Sequence, residues 1–117
     1  MDPEDYRDPS LAEKKLIDLL AAADYQGSAE IRQQLASCHV RIIDDDGSLS
    51  LKISSPVFAA VRYRVPVELY GKDMDGVDIH VLLHVVQGIC TEIEIYKDTP
   101  DRIKIMPETW SYFIPGS

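Results

Sequence analysis

DGVDIHVLLHVVQGICTEIEIY, residues 75–96, contains H-x-x-x-H, and whether this run is helix or strand decides the fold. On a helix His80 and His84 would lie on one face and share a zinc ion. The glutamate that zinc protease motifs carry after the first His is Val81 here. Val77, Ile79, Val81, Leu83 and Val85 alternate with Asp78, His80, Leu82, His84 and Val86 in a β-branched run, which predicts a strand. On a strand the two imidazoles share a face but stand about 13 Å apart, at ~3.3 Å per residue, whereas a Zn–N bond is about 2.0–2.1 Å long. One ion cannot bind both. The pair reads as surface or half-buried imidazoles, and a metal site on either would need ligands from other strands. No metal and no cofactor is expected.

The register of the hairpin that follows can be argued from side-chain faces. A two-residue Gln87-Gly88 loop pairs Val86 with Ile89 and sets the valine row beside Glu92 and Glu94. A three-residue loop, Val86-Gln87-Gly88 with Gly88 in the left-handed conformation of a G1 bulge, pairs Val85 with Ile89 and keeps the faces consistent. It puts His84 opposite Cys90, Leu82 opposite Glu92, His80 opposite Glu94 and Asp78 opposite Tyr96. The outer face is then acidic and aromatic, while Ile79, Val81, Ile93 and Ile95 line the helix-covered side.

Upstream, CHVRII and SLSLKI flank the acidic turn DDDG at 44–47, a second β-hairpin whose Leu49, Leu51 and Ile53 face the core. After SSP at 54–56, Val61, Tyr63, Val65, Val67 and Leu69 alternate with Arg62, Arg64, Pro66, Glu68 and Tyr70, which predicts the first strand of a three-stranded meander. Pro66 cannot donate a ladder hydrogen bond, so this strand is expected at an edge or bulged there. GKDMDGVD brings Asp73, Asp75 and Asp78 close to Gly76, but an apolar strand begins at Val77 where a calcium loop needs further oxygen ligands. A hairpin turn is expected there.

Before residue 38 the period is helical. Ser10 and Glu13 form an S-x-x-E capping box, followed by Leu16, Leu19, Leu20 and Ala23 at helical spacing. Gly27 restarts the pattern, with Ser28 as N-cap of a short helix carrying Ile31 and Leu35. Residues 1–9 hold four acids and two prolines and are expected to be a poorly ordered acidic tail. The expectation is a single α+β domain over 10–117: two N-terminal helices packed on one face of an antiparallel sheet of about five strands, a hairpin plus a three-stranded meander.

With 117 residues, 45% hydrophobic and 27% charged, the chain is long enough to bury a core without disulfides. A net charge of −8 with dispersed arginines argues against nucleic acid and for a basic protein partner. No apolar run approaches the ~20 residues needed to cross a bilayer, and the acidic start is unlike a secretory signal. Cytoplasmic localisation and no membrane partner are expected. Cys38 and Cys90 lack C-x-x-C spacing and read as reduced thiols. His39 follows Cys38 directly, which sends the two to opposite faces of a strand.

No nucleophile elbow or glycine-rich phosphate loop is present. Glu92 and Glu94 share a face about 7 Å apart, compatible with paired-carboxylate hydrolysis, but alternating glutamates are ordinary on the solvated face of an antiparallel sheet. Catalytic residues are not assigned. A hydrolase or metal protein is the least supported class.

VPVELYGKDMDGVDIHVLLHVVQGICTEIEIYKD, residues 65–98, resembles small uncharacterised bacterial proteins in families of unknown function. The likeness covers about a third of the chain and lies in its turns and strand faces, so it implies fold and transfers no catalytic residue. Small acidic α+β proteins that act as immunity partners of bacterial toxins are similar at the level of class. Together these readings point to a non-enzymatic protein-binding domain, in its most concrete form an immunity-like inhibitor of a basic toxin. Glu68, Asp78, Glu92 and Glu94 would steer the partner, Tyr70, Leu82 and Tyr96 would give contact area, and His80 lies among them. The alternative is an oligomeric structural protein. Its evidence is the ending TWSYFIPGS, where Trp110, Tyr112, Phe113 and Ile114 close over the monomer's own core or dock on a neighbour, the first being preferred.

Overall fold

The capping box forms as its spacing requires: the Glu13 N–H donates to Ser10 Oγ at 3.2 Å, and the Ser10 N–H donates to Glu13 Oε1 at 2.8 Å. It opens α1, Leu11–Ala22, which buries Ile17 and Leu20 and half-buries Leu16 and Leu19. The computed structural model describes residues 5–54 and 57–116. In α2, Ser28–Leu35, the N-cap position expected of Ser28 belongs to Gly27 at φ 91°, and Ser28 is the buried first residue of the helix. A left-handed turn is easy for glycine, and a Cβ at Gly27 would lie 3.0 Å from Val61 Cγ1.

The sheet consists of β1 (His39–Ile42), β2 (Leu49–Lys52), β3 (Glu68–Lys72), β4 (Asp78–Val86), β5 (Ile89–Lys97) and β6 (Ser111–Phe113). The order is β1-β2-β5-β4-β3-β6, and every pairing is antiparallel. The architecture is α+β, as expected. The sixth strand comes from the aromatic ending, which pairs with β3 and so closes on its own sheet. Trp110 and Ile114 pack against the core, and the Tyr112 hydroxyl donates to the Leu19 carbonyl at 2.7 Å.

One cluster joins Ile17, Leu20, Ile31 and Leu35 of the helices to Val40, Leu49, Leu69, Ile79, Val81, Leu83, Ile93 and Ile95 of the sheet. The strict alternation of β4, every second residue buried, is the period-2 signature of a sheet covered on one side. Gln34 sits within this layer with its amide satisfied. It donates to the Val57 and Gly88 carbonyls and accepts from the Cys90 N–H, all at 2.8 Å, which ties α2 to the β4–β5 turn.

Further expectations are corrected. The β4–β5 connection is the two-residue turn, with Gln87 at φ 52° and Gly88 at φ 81°, the two positive angles of a type I′ turn, and Val86 pairs with Ile89. The faces are reconciled farther along, by a bulge: Val85 pairs with Cys90 but His84 with Glu92, so Thr91 is the extra residue. His80 therefore lies opposite Tyr96, Leu82 opposite Glu94 and Asp78 beside Asp98, whose N–H donates to the Asp78 carbonyl at 3.0 Å. From Glu92 on the observed pairs differ from the expected ones by two residues, so those side chains keep their faces, whereas Cys90, expected opposite His84, turns into the core beside Val85, and Ile89 pairs with the outward Val86.

The strand expected from Val61 begins only at Glu68, and it is interior, between β4 and β6. Residues 64–67 still run along β4 but contribute acceptors: the Val85 and Leu83 N–H groups donate to the Arg64 and Val67 carbonyls, an arrangement that needs no N–H from Pro66. The segment expected to be a tail is attached from Tyr6 onward, residues 1–4 and 55–56 lying outside the described residues. Arg7 and Val40 exchange two backbone hydrogen bonds, and the Arg7 guanidinium grips Glu13 at 2.7 and 3.0 Å, pulling that carboxyl down to about 2.

Candidate functional site

The helices, residues 57–61 and the 103–110 segment all pack on the core side, which leaves the opposite face of the sheet uncovered over β3, β4 and β5. Register places its side chains in rows. One runs Ser111, Tyr70, His80, Tyr96; the next Phe113, Glu68, Leu82, Glu94; a third joins His84, Glu92 and Ser50. All eight residues assigned to the site from sequence, Glu68, Tyr70, Asp78, His80, Leu82, Glu92, Glu94 and Tyr96, stand on this face. Tyr6 covers only its β2 end, through a 2.6 Å hydrogen bond with Ser50 and beneath the Arg41 guanidinium.

His80 occupies the centre. Its ring stacks on Tyr96 with centroids 4.8 Å apart and planes 14° from parallel. Nδ1 lies 2.6 Å from Glu68 Oε2, and Nε2 lies 2.9 Å from Asp98 Oδ1 but off the line of a hydrogen bond, so this buried nitrogen makes none among the described residues. Burial alone would lower the His80 pKa; the hydrogen bond to the Glu68 carboxylate and the charges of Asp98 and Glu68 outweigh it and raise it. At His84, Arg64 Nε donates to Nδ1 at 3.3 Å and Nε2 stands 2.8 Å from Glu94 Oε1. A lone pair accepting at Nδ1 requires the neutral imidazole's hydrogen on Nε2, donated to Glu94. His80 and His84 thus have different partners, as the strand spacing demands.

Asp78 is held by Lys72 Nζ at 2.8 Å, and that hydrogen bond lowers its pKa. Glu92 has no ion pair or side-chain hydrogen bond among the described residues. The face therefore carries five carboxylates, Glu68, Asp78, Glu92, Glu94 and Asp98, against the cations Lys72 and Arg64, around Tyr70, Leu82, Tyr96 and the exposed Phe113. Arg64, Lys72, Asp98 and Phe113 were not assigned to the site from sequence. Asp98 and Lys72 follow from the register, since residues flanking Asp78 on neighbouring strands must share its face; Arg64 was legible only as an outward position of the Val61–Tyr70 alternation.

The acidic β3–β4 turn has a separate, structural role. Lys97 and Asp73 have almost fully buried side chains, and Lys97 Nζ sits 3.0 Å from Asp73 Oδ2, 2.6 Å from Asp75 Oδ2 and 3.3 Å from the Arg102 carbonyl. A tethered ammonium thus stands among the oxygens that a calcium loop would offer. Burial alone would raise Asp73, but the N–H groups of Lys104, Ile105 and Met74, with Lys97, hold it well below the usual carboxylate range.

A family model described as a domain of unknown function, DUF6984, matches residues 6–107. The chain belongs to that family. The matched span runs from Tyr6 through the 98–107 segment and contains every charged residue of the open face, while β6 with Phe113 lies beyond it. No curated protein and no solved structure matches the chain. No helix among the described residues is long and apolar enough to cross a membrane.

Proposed function

We propose that this protein is a non-catalytic binding domain whose open sheet face docks on a basic protein. The observation that carries the reading is the uncovered face over β3, β4 and β5, where Tyr70, Leu82, Tyr96 and Phe113 are set among five carboxylates and two cations of the described residues. The charges raise the encounter rate with a basic surface, and the rings supply desolvated contact area at low conformational cost. Inhibition of a basic toxin is the concrete form of this function; a toxin gene beside this one would favour it. The thiols favour a non-catalytic reading too. Burial pushes Cys90 up to about 12 and also raises Cys38, the reverse of an activated nucleophile.

The experiment is capture from extract of the native cell, with the wild type and the Glu92→Gln/Glu94→Gln pair as bait. A basic protein should be retained by the wild type, associate more slowly with the variant, and show a shallower salt dependence there, since screening limits these charges to about 8 Å at physiological ionic strength. Tyr70→Ala should instead raise the dissociation rate, at a cost on the order of 2 kcal/mol. Equal retention by all three baits would reject the face as the docking surface.

A further inference from the structure

The geometry points to a divalent transition-metal site at one end of this face, with His80 Nε2 and the carboxylates of Asp78 and Asp98 as ligands. Asp78 and His80 come from β4, and Asp98 directly follows the end of β5. Asp78 and His80 are two apart on β4 and so share a face, and Asp98 is held beside Asp78 by its N–H to the Asp78 carbonyl. Their donor atoms lie within 4.8 Å of one another. A tetrahedral zinc site spaces its ligands by ~3.3 Å; His80 Nε2 and Asp98 Oδ1 already stand 2.9 Å apart, and the partly exposed Asp78 side chain must turn from Lys72 to close the remaining distance.

The outer partners are what such a ligand needs. Glu68 at 2.6 Å from Nδ1 is placed to accept the N–H there, which directs the lone pair of Nε2 toward the two aspartates. Tyr96 fixes the ring plane by stacking. Nε2 is buried and stands 2.9 Å from Asp98 Oδ1 without a hydrogen bond among the described residues, so a cation held between the imidazole and the carboxylates would give this nitrogen a partner. Lys72 pairs directly with Asp78 and acts on Asp98 through its charge alone. The mixed imidazole and carboxylate donors suit Zn²⁺ or Mn²⁺, and three protein ligands leave a coordination position open to water or to a partner's side chain.

The second cluster, His84 with Glu92 and Glu94, is as close-set but chemically different. Arg64 donates to His84 Nδ1, which puts the neutral ring's hydrogen on Nε2, where a ligand needs a lone pair. A proton and a metal ion exclude one another at Nε2, so uptake must weaken as pH falls.

The test is titration of metal-free protein with Zn²⁺ by calorimetry, alongside the imidazole nitrogen spectrum. Binding of a single ion per chain is expected, with the His80 Nε2 resonance shifted to that of a metal-bound nitrogen. Asp98→Asn and His80→Gln should abolish it, Glu68→Gln should weaken it ~10-fold through the lost outer partner, and His84→Gln should leave it unchanged. Thermal melts establish that each variant is folded. Absence of uptake by the folded wild type, uptake undiminished in Asp98→Asn, or loss in His84→Gln alone would overturn the assignment.

Discussion

Asp73 concentrates more of the fold's polar organisation than any other single side chain: it accepts three backbone N–H groups and the Lys97 ammonium while itself buried. Its folded pKa is depressed, so its contribution is complete above the unfolded value of about 3.9 and is lost as pH falls below that. Asp73→Asn is expected to destabilise the protein at pH 7 and to flatten the fall in stability between neutral and acid pH. Urea denaturation of both proteins across that range checks it, and equal acid sensitivity would show that another carboxylate governs. From sequence this turn was legible as a hairpin but not as a latch. Lys97 reaches it only because the Thr91 bulge and the register bring the end of β5 beside β4, and a residue 22 positions away has no local signature.

At the scale of the element, the β4–β5 hairpin shows why face is easier to read than register. Alternation fixed which side chains of residues 78–86 and 92–97 point outward, and they do; but a three-residue turn and a two-residue turn with a later bulge agree there equally, differing by two residues in pairing and in the faces of Ile89 and Cys90. Both place Gly88 at positive φ, observed at 81°, and a Cβ there would also lie 3.2 Å from the Ala59 carbonyl oxygen. Gly88→Val should therefore cost about 1 kcal/mol or more. The type I′ turn adds a discriminating case: Gln87, at φ 52°, carries a side chain where glycine is favoured, so Gln87→Gly should not lower the denaturation midpoint. A loss as large as that of Gly88→Val would contradict the turn type. β6 was harder to foresee, since three residues give no period and its pairing with β3 spans some forty positions of chain.

For the whole molecule, the decisive asymmetry is that the helices and the apolar cluster gather on one side of the sheet, leaving the other side over β3, β4 and β5 to charges, rings and Leu82. The eight sequence-assigned residues share that side because strand alternation is robust; the His80–Glu68 pair joins neighbouring strands β4 and β3, but the difference between His80 and His84 depends on Arg64 and Asp98 outside the regular pattern. That the open face is the functional surface can be read through one side chain. Leu82 is the leucine of this face among the described residues, while Leu11 and Leu16 belong to the helical layer and Leu83 to the core. Methyl spectra of leucine-labelled protein, recorded in buffer and in extract of the native cell, should show Leu82 shifted or broadened with Leu11 and Leu16 unmoved; an unchanged Leu82, or perturbation confined to Leu11 and Leu16, would contradict the account.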